Sequence, residues 1–325
     1  MNGTESYNAL QEKRIQNILN NNPEYLTGFY YYICNKYSLV SIYNYLNCIV
    51  RFMKLANKQI EELSLDDFIM FLSTLKNKTS SSQRLGYYGL KDFCEYLYVS
   101  EKIKRNYMDA VAIPKRTESL ETKQRRARSY LNEKEIEEYV ENVRFGIGTD
   151  KAISFQETWK ERDIAIIYLF LTTGMRASAL FKLDINNINL EEKTLITIDK
   201  GNKVNDYVLS DVVVEALNKW IIKRKEFLNG KEEMALFISN QKTRISHSAI
   251  SRIVKKYSVG IKEKPISPHK LRATFGTQLY KETRDIKFVQ DRMGHANPQT
   301  TELYIRYDQT EDKKKSAAIM SQFLN

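Results

Sequence analysis

At 325 residues the chain is too long for one small core and long enough for two domains. Lys and Arg total 51 against 40 Asp and Glu, and the net charge of +11 points to a polyanionic partner, nucleic acid before a membrane surface. No apolar run approaches transmembrane length and no charged-then-apolar leader is expected. Cys34, Cys48 and Cys94 lack metal-ligand spacing, so they are expected reduced and buried, as in a cytoplasmic protein.

Residues 1–20 are polar and read as a loosely ordered arm or a short first helix. From 24 to about 110 the pattern is helical: Leu39, Ile42, Tyr43, Leu46, Val50 and Met53 recur at three- and four-residue steps. Ser64 and Asp67 read as a capping box opening a helix through Leu75. A third stripe runs from Leu85 to Tyr98, behind a start at Ser80–Arg84 that suits phosphate contact or an ordinary N-cap. Pro114 then ends the periodicity. Lys115, Arg116, Lys123, Arg125, Arg126 and Arg128 crowd a polar linker that would either neutralise phosphates along a duplex or merely be solvated.

Beyond the linker, Asn132 is placed to cap a helix through Val143, and a Gly-containing loop is expected over about 144–157. A buried helix over Ile164–Leu171 ends at Thr172-Thr173-Gly174, and a new helix opens around Arg176. TLITI (194–198) and DYVLS (206–210) predict a hairpin with Lys200 and Lys203 about its turn. Helices are expected at about 211–228 and 247–257. A tail at 311–325 carries an amphipathic stripe of Ala317, Ile319, Met320 and Phe323. The fold class is mainly α with a small β-sheet.

Two of the three histidines, His269 and His295, fall between residues 268 and 307 beside Arg272, Tyr304 and Tyr307. Were Arg176, Lys200, His269, Arg272, His295 and Tyr304 to converge, the arginines would fork onto phosphate oxygens and stabilise a pentacovalent transition state. A tyrosine would attack phosphorus, with a histidine as its base. A lysine would protonate the departing 5′ oxygen. Such a site needs no metal or other cofactor, and no P-loop is present for nucleotide hydrolysis. Taken singly, each residue is as readily a helix cap, a solvated lysine or a core tyrosine.

The ordered set resembles the tyrosine recombinases of the lambda-integrase-like family, Xer-type recombinases and mobile-element integrases among them. TGMRASAL carries the first arginine, DKGNK the hairpin lysine, HKLRATFGTQLY the His-x-x-Arg box and MGHANPQTTELY the second histidine with its tyrosine. The resemblance spans roughly residues 20–310. It implies that Arg176, Lys200 (rather than Lys203), His269, Arg272 and His295 form the catalytic framework, with Tyr304 the nucleophile and Tyr307 structural. It implies a 1–20 arm, a helical core-binding (SAM-like) domain at 21–112, a basic linker at 113–129, an α+β catalytic domain at 130–310 and a C-terminal helix at 311–325. That last helix either docks on its own domain or exchanges into a neighbour. The implied partner is double-stranded DNA with specific core sites, on which the protein forms dimers and then tetramers passing through a Holliday junction. Accessory factors are left open, no membrane is involved, and the setting is the bacterial cytoplasm, with the nucleoid. DNA contacts are expected from Arg84, the linker cations, Lys203, Arg244 and His247. One departure stands out: Ala179 occupies the place, three residues past the first arginine, where the family usually has an acidic residue. The leading expectation is a mobile-element integrase. Alternatives are a chromosome-dimer resolvase, a type IB topoisomerase and a DNA-binding module with a weakened site.

Overall fold

The computed structural model describes residues 2–115, 130–198, 204–263 and 265–294. The chain divides into two compact units, residues 5–120 and residues 121–325 together with residues 1–4. The described residues are mainly helical with one small antiparallel sheet, the expected fold class.

In the helical unit, the segment expected as an arm or short first helix is α1 (Gly3–Asn20), 18 residues long, with Ile15 and Leu19 buried. It is followed by α2 (Glu24–Ile33), α3 (Leu39–Ala56), α4 (Leu65–Thr74) and α5 (Ser80–Val99). The apolar stripes of these helices meet in one core built on Phe29, Leu46, Ile49, Phe52, Phe68, Leu90, Phe93 and Leu97. Rings interlock within it: Phe52 and Phe68 lie 4.8 Å apart, Phe29 and Phe93 5.2 Å in an edge-on contact. The capping box at α4 forms, and Asp67 does double duty there. Its Oδ2 accepts from the Ser64 backbone and hydroxyl at 2.8 Å each, and Lys58 Nζ donates to both oxygens at 2.8 and 2.9 Å. Burial pushes the Asp67 carboxyl pKa up, but the Lys58 and Ser64 hydrogen bonds outweigh it and the net shift is downward. Cys48 and Cys94 are buried, which pushes each thiol up to about 11. Cys34 departs from the expected burial: it is half-buried, its Sγ facing the Tyr31 carbonyl at 3.2 Å.

The larger unit is built around α8 (Lys160–Thr173), in which Ala165 to Phe170 are all buried. A helix enclosed this way is apolar all round, so it shows no one-sided stripe. Before it come α6 (Glu133–Phe145), opened by an Asn132–Glu135 capping box, and α7 (Asp150–Glu157). The structure corrects the loop expected at 144–157. Thr149 Oγ1 accepts from the Ala152 amide to start α7, and Gln156 closes the intervening turn on the Ile147 backbone. Asp163, fully buried in the first turn of α8, gathers Arg162, Lys256 and Tyr257 around it and so ties α8 to α11 (His247–Tyr257).

Strands β1 (Ile188–Asn189), β2 (Thr194–Ile198) and β3 (Val204–Val208) form an antiparallel sheet in that order. Strand β3 thus starts two residues earlier than the sequence suggests, with Val204 opposite Ile198. Leu195 and Thr197 point inward from β2 and alternate with exposed Ile196 and Ile198. Helix α9 (Ala177–Lys182) precedes the sheet. After it come α10 (Asp211–Leu228), then α11, α12 (Pro268–Thr283) and α13 (Ile286–Met293). Helices α6, α10, α11 and α12 all pack on α8. Among the described residues no helix is long and apolar enough to cross a membrane.

Candidate active site

The site is assembled where α12 crosses the end of α8. Ser267 precedes α12 and Pro268 opens it, the place where a missing amide costs least. His269 then stands exposed in the first turn, and Arg272 follows three residues later on the same face. Arg272 is 3% exposed. Its Nη1 donates to the Gly174 carbonyl at 2.6 Å and its Nη2 to the Met293 carbonyl. One guanidinium therefore binds two turns that are remote in sequence. The first is the cap of α8: Gly174 adopts φ +60° and its amide closes on Phe170, after which the buried Met175 leads to Arg176. Arg176 is half-buried and caps α9 in extended conformation, its carbonyl accepting from Ala179 and Leu180. The second is the end of α13, where Gly294 terminates the helix directly before His295.

The described part of the site thus joins Arg176, the His269–Arg272 helix and the chain leading into His295. Lys200, His295, Tyr304 and Tyr307 lie outside the described residues, as do the linker cations Arg116, Lys123, Arg125, Arg126 and Arg128, Lys203 and the 311–325 tail. Ala179, at the position of the family's usual acid, is 1% exposed, on the interior side of α9. Among the described residues no group of three or more His, Cys, Asp or Glu is arranged to hold a metal ion.

The phage integrase family matches residues 129–311, more than half of the chain. The chain belongs to that family, the tyrosine recombinases. It is 30% identical to the tyrosine recombinase XerC of Thermodesulfovibrio yellowstonii over 305 residues, 89% of this chain and 94% of that one. In structure it is similar to the XerH site-specific recombinase bound to a palindromic difH substrate in a post-cleavage complex. The TM-score is 0.68 and the identity 19%, over 86% of this chain and 80% of that one. It is also similar to lambda integrase in a tetramer bound to a Holliday junction, with TM-score 0.59 and 17% identity over 85% and 77% of the two chains. As a tyrosine recombinase it acts in site-specific recombination, transferring DNA strands.

For this recombinase the expected DNA contacts divide. Lys115 is exposed, its carbonyl accepting from Ser80. His247 is exposed in the first turn of α11, behind the Ser246 cap. Arg84 is partly committed, its Nη1 donating to the Pro114 carbonyl at 2.9 Å and its Nη2 to the Tyr88 hydroxyl at 2.8 Å. Arg244 is a correction. Its side chain is 8% exposed, donates to the Phe181 and Leu183 carbonyls at 3.0 and 3.1 Å and pairs with Asp184, so it braces the end of α9 instead of reaching outward.

Residues that no sequence motif marks also support the site. Thr274 Oγ1 accepts from the Leu131 amide at 2.9 Å and donates to the Lys270 carbonyl, and Gln278 holds the Leu131 carbonyl at 3.4 Å. Phe275 lies against Gly174. Helical spacing from Arg272 was the available signal for Phe275; for Thr274 nothing local announced a partner 143 residues away.

Proposed function

We propose that the chain is the site-specific recombinase of a mobile element, cleaving and rejoining core sites through a 3′-phosphotyrosine intermediate. Tyr304 Oη attacks the scissile phosphorus, displacing the 5′ oxygen, which takes a proton from Lys200. The Tyr304 proton passes to a histidine of the pair His269 and His295. Arg176 and Arg272 neutralise the nonbridging oxygens as negative charge accumulates on them. The phosphodiester energy is held in the tyrosyl ester, so strand exchange needs neither ATP nor a metal ion. The observation that carries this reading is the Arg272 guanidinium bonded to both the Gly174 and Met293 carbonyls, which draws the Arg176 turn and the approach to His295 to one helix. The net charge of +11 and the basic linker support a clamp on duplex DNA. Assembly into dimers and then a tetramer on a Holliday junction is part of the proposal, supported by the resemblance to the lambda integrase tetramer.

The test uses a nicked suicide duplex made from the element's ends. A covalent protein–DNA adduct is expected that Tyr304→Phe abolishes and Tyr307→Phe retains. Adduct formation by Tyr304→Phe would remove that residue as nucleophile. A second reading, an Xer-type recombinase resolving chromosome dimers, is favoured by the 30% identity to XerC over 89% of the chain. Paired-site recombination on a chromosomal site, with none on the element ends, would decide for it.

A further inference from the structure

Arg272 and Phe275 stand three residues apart on α12, so their side chains leave the same face of the helix. Both meet the Gly174 turn. Arg272 does so through hydrogen bonds to the Gly174 and Met293 carbonyls. Phe275 does so by packing, its ring joining the small cluster of Ala273, Val289 and Met293 and lying against Gly174. A Cβ added to Gly174 would fall 2.3 Å from the ring's Cδ1 and 2.9 Å from its Cγ, closer than nonbonded carbons approach. Gly174 also adopts φ +60°, from which the backbone turns to the extended conformation of Arg176 at φ −76° and ψ 148°.

The Gly174–Met175 peptide is held at its carbonyl by Arg272 and at its amide by Thr173 Oγ1 at 3.2 Å. The ring beside Gly174 adds a packing wall on a side that these hydrogen bonds leave open, and limits rocking of the turn. Two residues later any residual rotation becomes a displacement of the Arg176 guanidinium. We infer that Phe275 is a positioning residue for Arg176, its ring seating the Gly174 turn so that the guanidinium meets the scissile phosphate. The hydrocarbon ring itself has no donor or charge to offer the reaction. This inference rests on the catalytic role proposed above for Arg176.

The test compares the full-length parent, Tyr304→Phe and Phe275→Leu, which keeps apolar bulk and helix propensity but removes the flat ring. Single-turnover cleavage of the nicked suicide duplex is measured alongside duplex affinity and thermal melting. Phe275→Leu is expected to cleave about 10²-fold more slowly, the scale of a misplacement near 1 Å, with affinity unchanged. A duplex with a methylphosphonate at the scissile position is neutral there before attack and develops one negative charge, in place of two, on its nonbridging oxygen in the transition state. On it the deficit should shrink to roughly threefold or less, because the lost interaction is one made to charge in the transition state. Phe275→Tyr, which keeps the ring, is expected to cleave as the parent does. Should Phe275→Leu lower the melting temperature by more than about 5 °C, Phe275→Met, which fills the space with a flexible chain, is read in its place. Parent-like cleavage by the ring-less variant, or equal slowing on both duplexes, overturns the inference alone. A parent chain that binds the duplex and forms no adduct overturns the proposed function and this inference with it.

Discussion

Replacing Arg272 by lysine keeps the positive charge and removes the fork. In the structure Nη1 reaches the Gly174 carbonyl at 2.6 Å while Nη2 serves the Met293 carbonyl. A lysine carries one nitrogen on a compact ammonium and lacks the planar geometry to serve two acceptors on diverging chains. At least one buried carbonyl then loses its partner, a cost of about 1–3 kcal/mol. For a unit near 200 residues this lowers Tm by about 2–4 °C per kcal/mol. Cleavage should fall further, by roughly 10²–10³, because on the proposed function the guanidiniums that meet the developing phosphate charge shift together. The measurement pairs differential scanning calorimetry of Arg272→Lys, following the transition of the larger unit, with adduct formation on the suicide duplex. An arginine that served only to bind phosphate would leave Tm where it was when exchanged for lysine. Unchanged Tm together with lost cleavage would therefore refute the bracing role drawn from the two carbonyl bonds.

Asp163→Asn should destabilise the larger unit by about 3–5 kcal/mol, read as a lowered urea midpoint, because Arg162 and Lys256 would lose a fully buried counter-charge. A midpoint equal to the parent's would show that the cluster is not held as described. For Asp67 the folded-state pKa lies below the unfolded value, so its contribution is present above the unfolded pKa, near 3.9, and is lost as pH falls through the depressed folded value. Acid titration of Asp67→Asn should accordingly show a shallower loss of stability below about pH 4 than the parent. A superimposable acid limb in circular dichroism would contradict the assignment.

What the sequence conveyed well was local. Ser64 with Asp67, and Asn132 before an apolar-periodic run, announce helix starts within four residues, and both form capping boxes. The TLITI strand and the Gly174 stop were legible for the same reason. The helix α7 was hidden because Gly146 and Gly148 signal a break, while the Gln156 amide that closes the turn onto Ile147 carries no pattern of its own. Arg244 looked like a surface cation in a polar loop. The carbonyls that claim it, at Phe181 and Leu183, lie about sixty residues upstream. In the site, each motif could be read separately, whereas the bond that unites them spans 98 residues from Arg272 to Gly174. Long-range hydrogen bonds leave no periodicity, so the ring of Phe275 and the buried charge of Asp163 emerge only once the chain is folded.

Gly174 faces two independent exclusions at once. Its left-handed backbone disfavours every residue with a Cβ, and the Phe275 ring occupies the space that Cβ would need, so even asparagine, which tolerates this conformation better than most, has no room. No single substitution satisfies both conditions. A side chain at this position forces the Phe275 ring to move. With the positioning role inferred for that ring, the cost of such a change would be read in the placement of Arg176 as well as in stability.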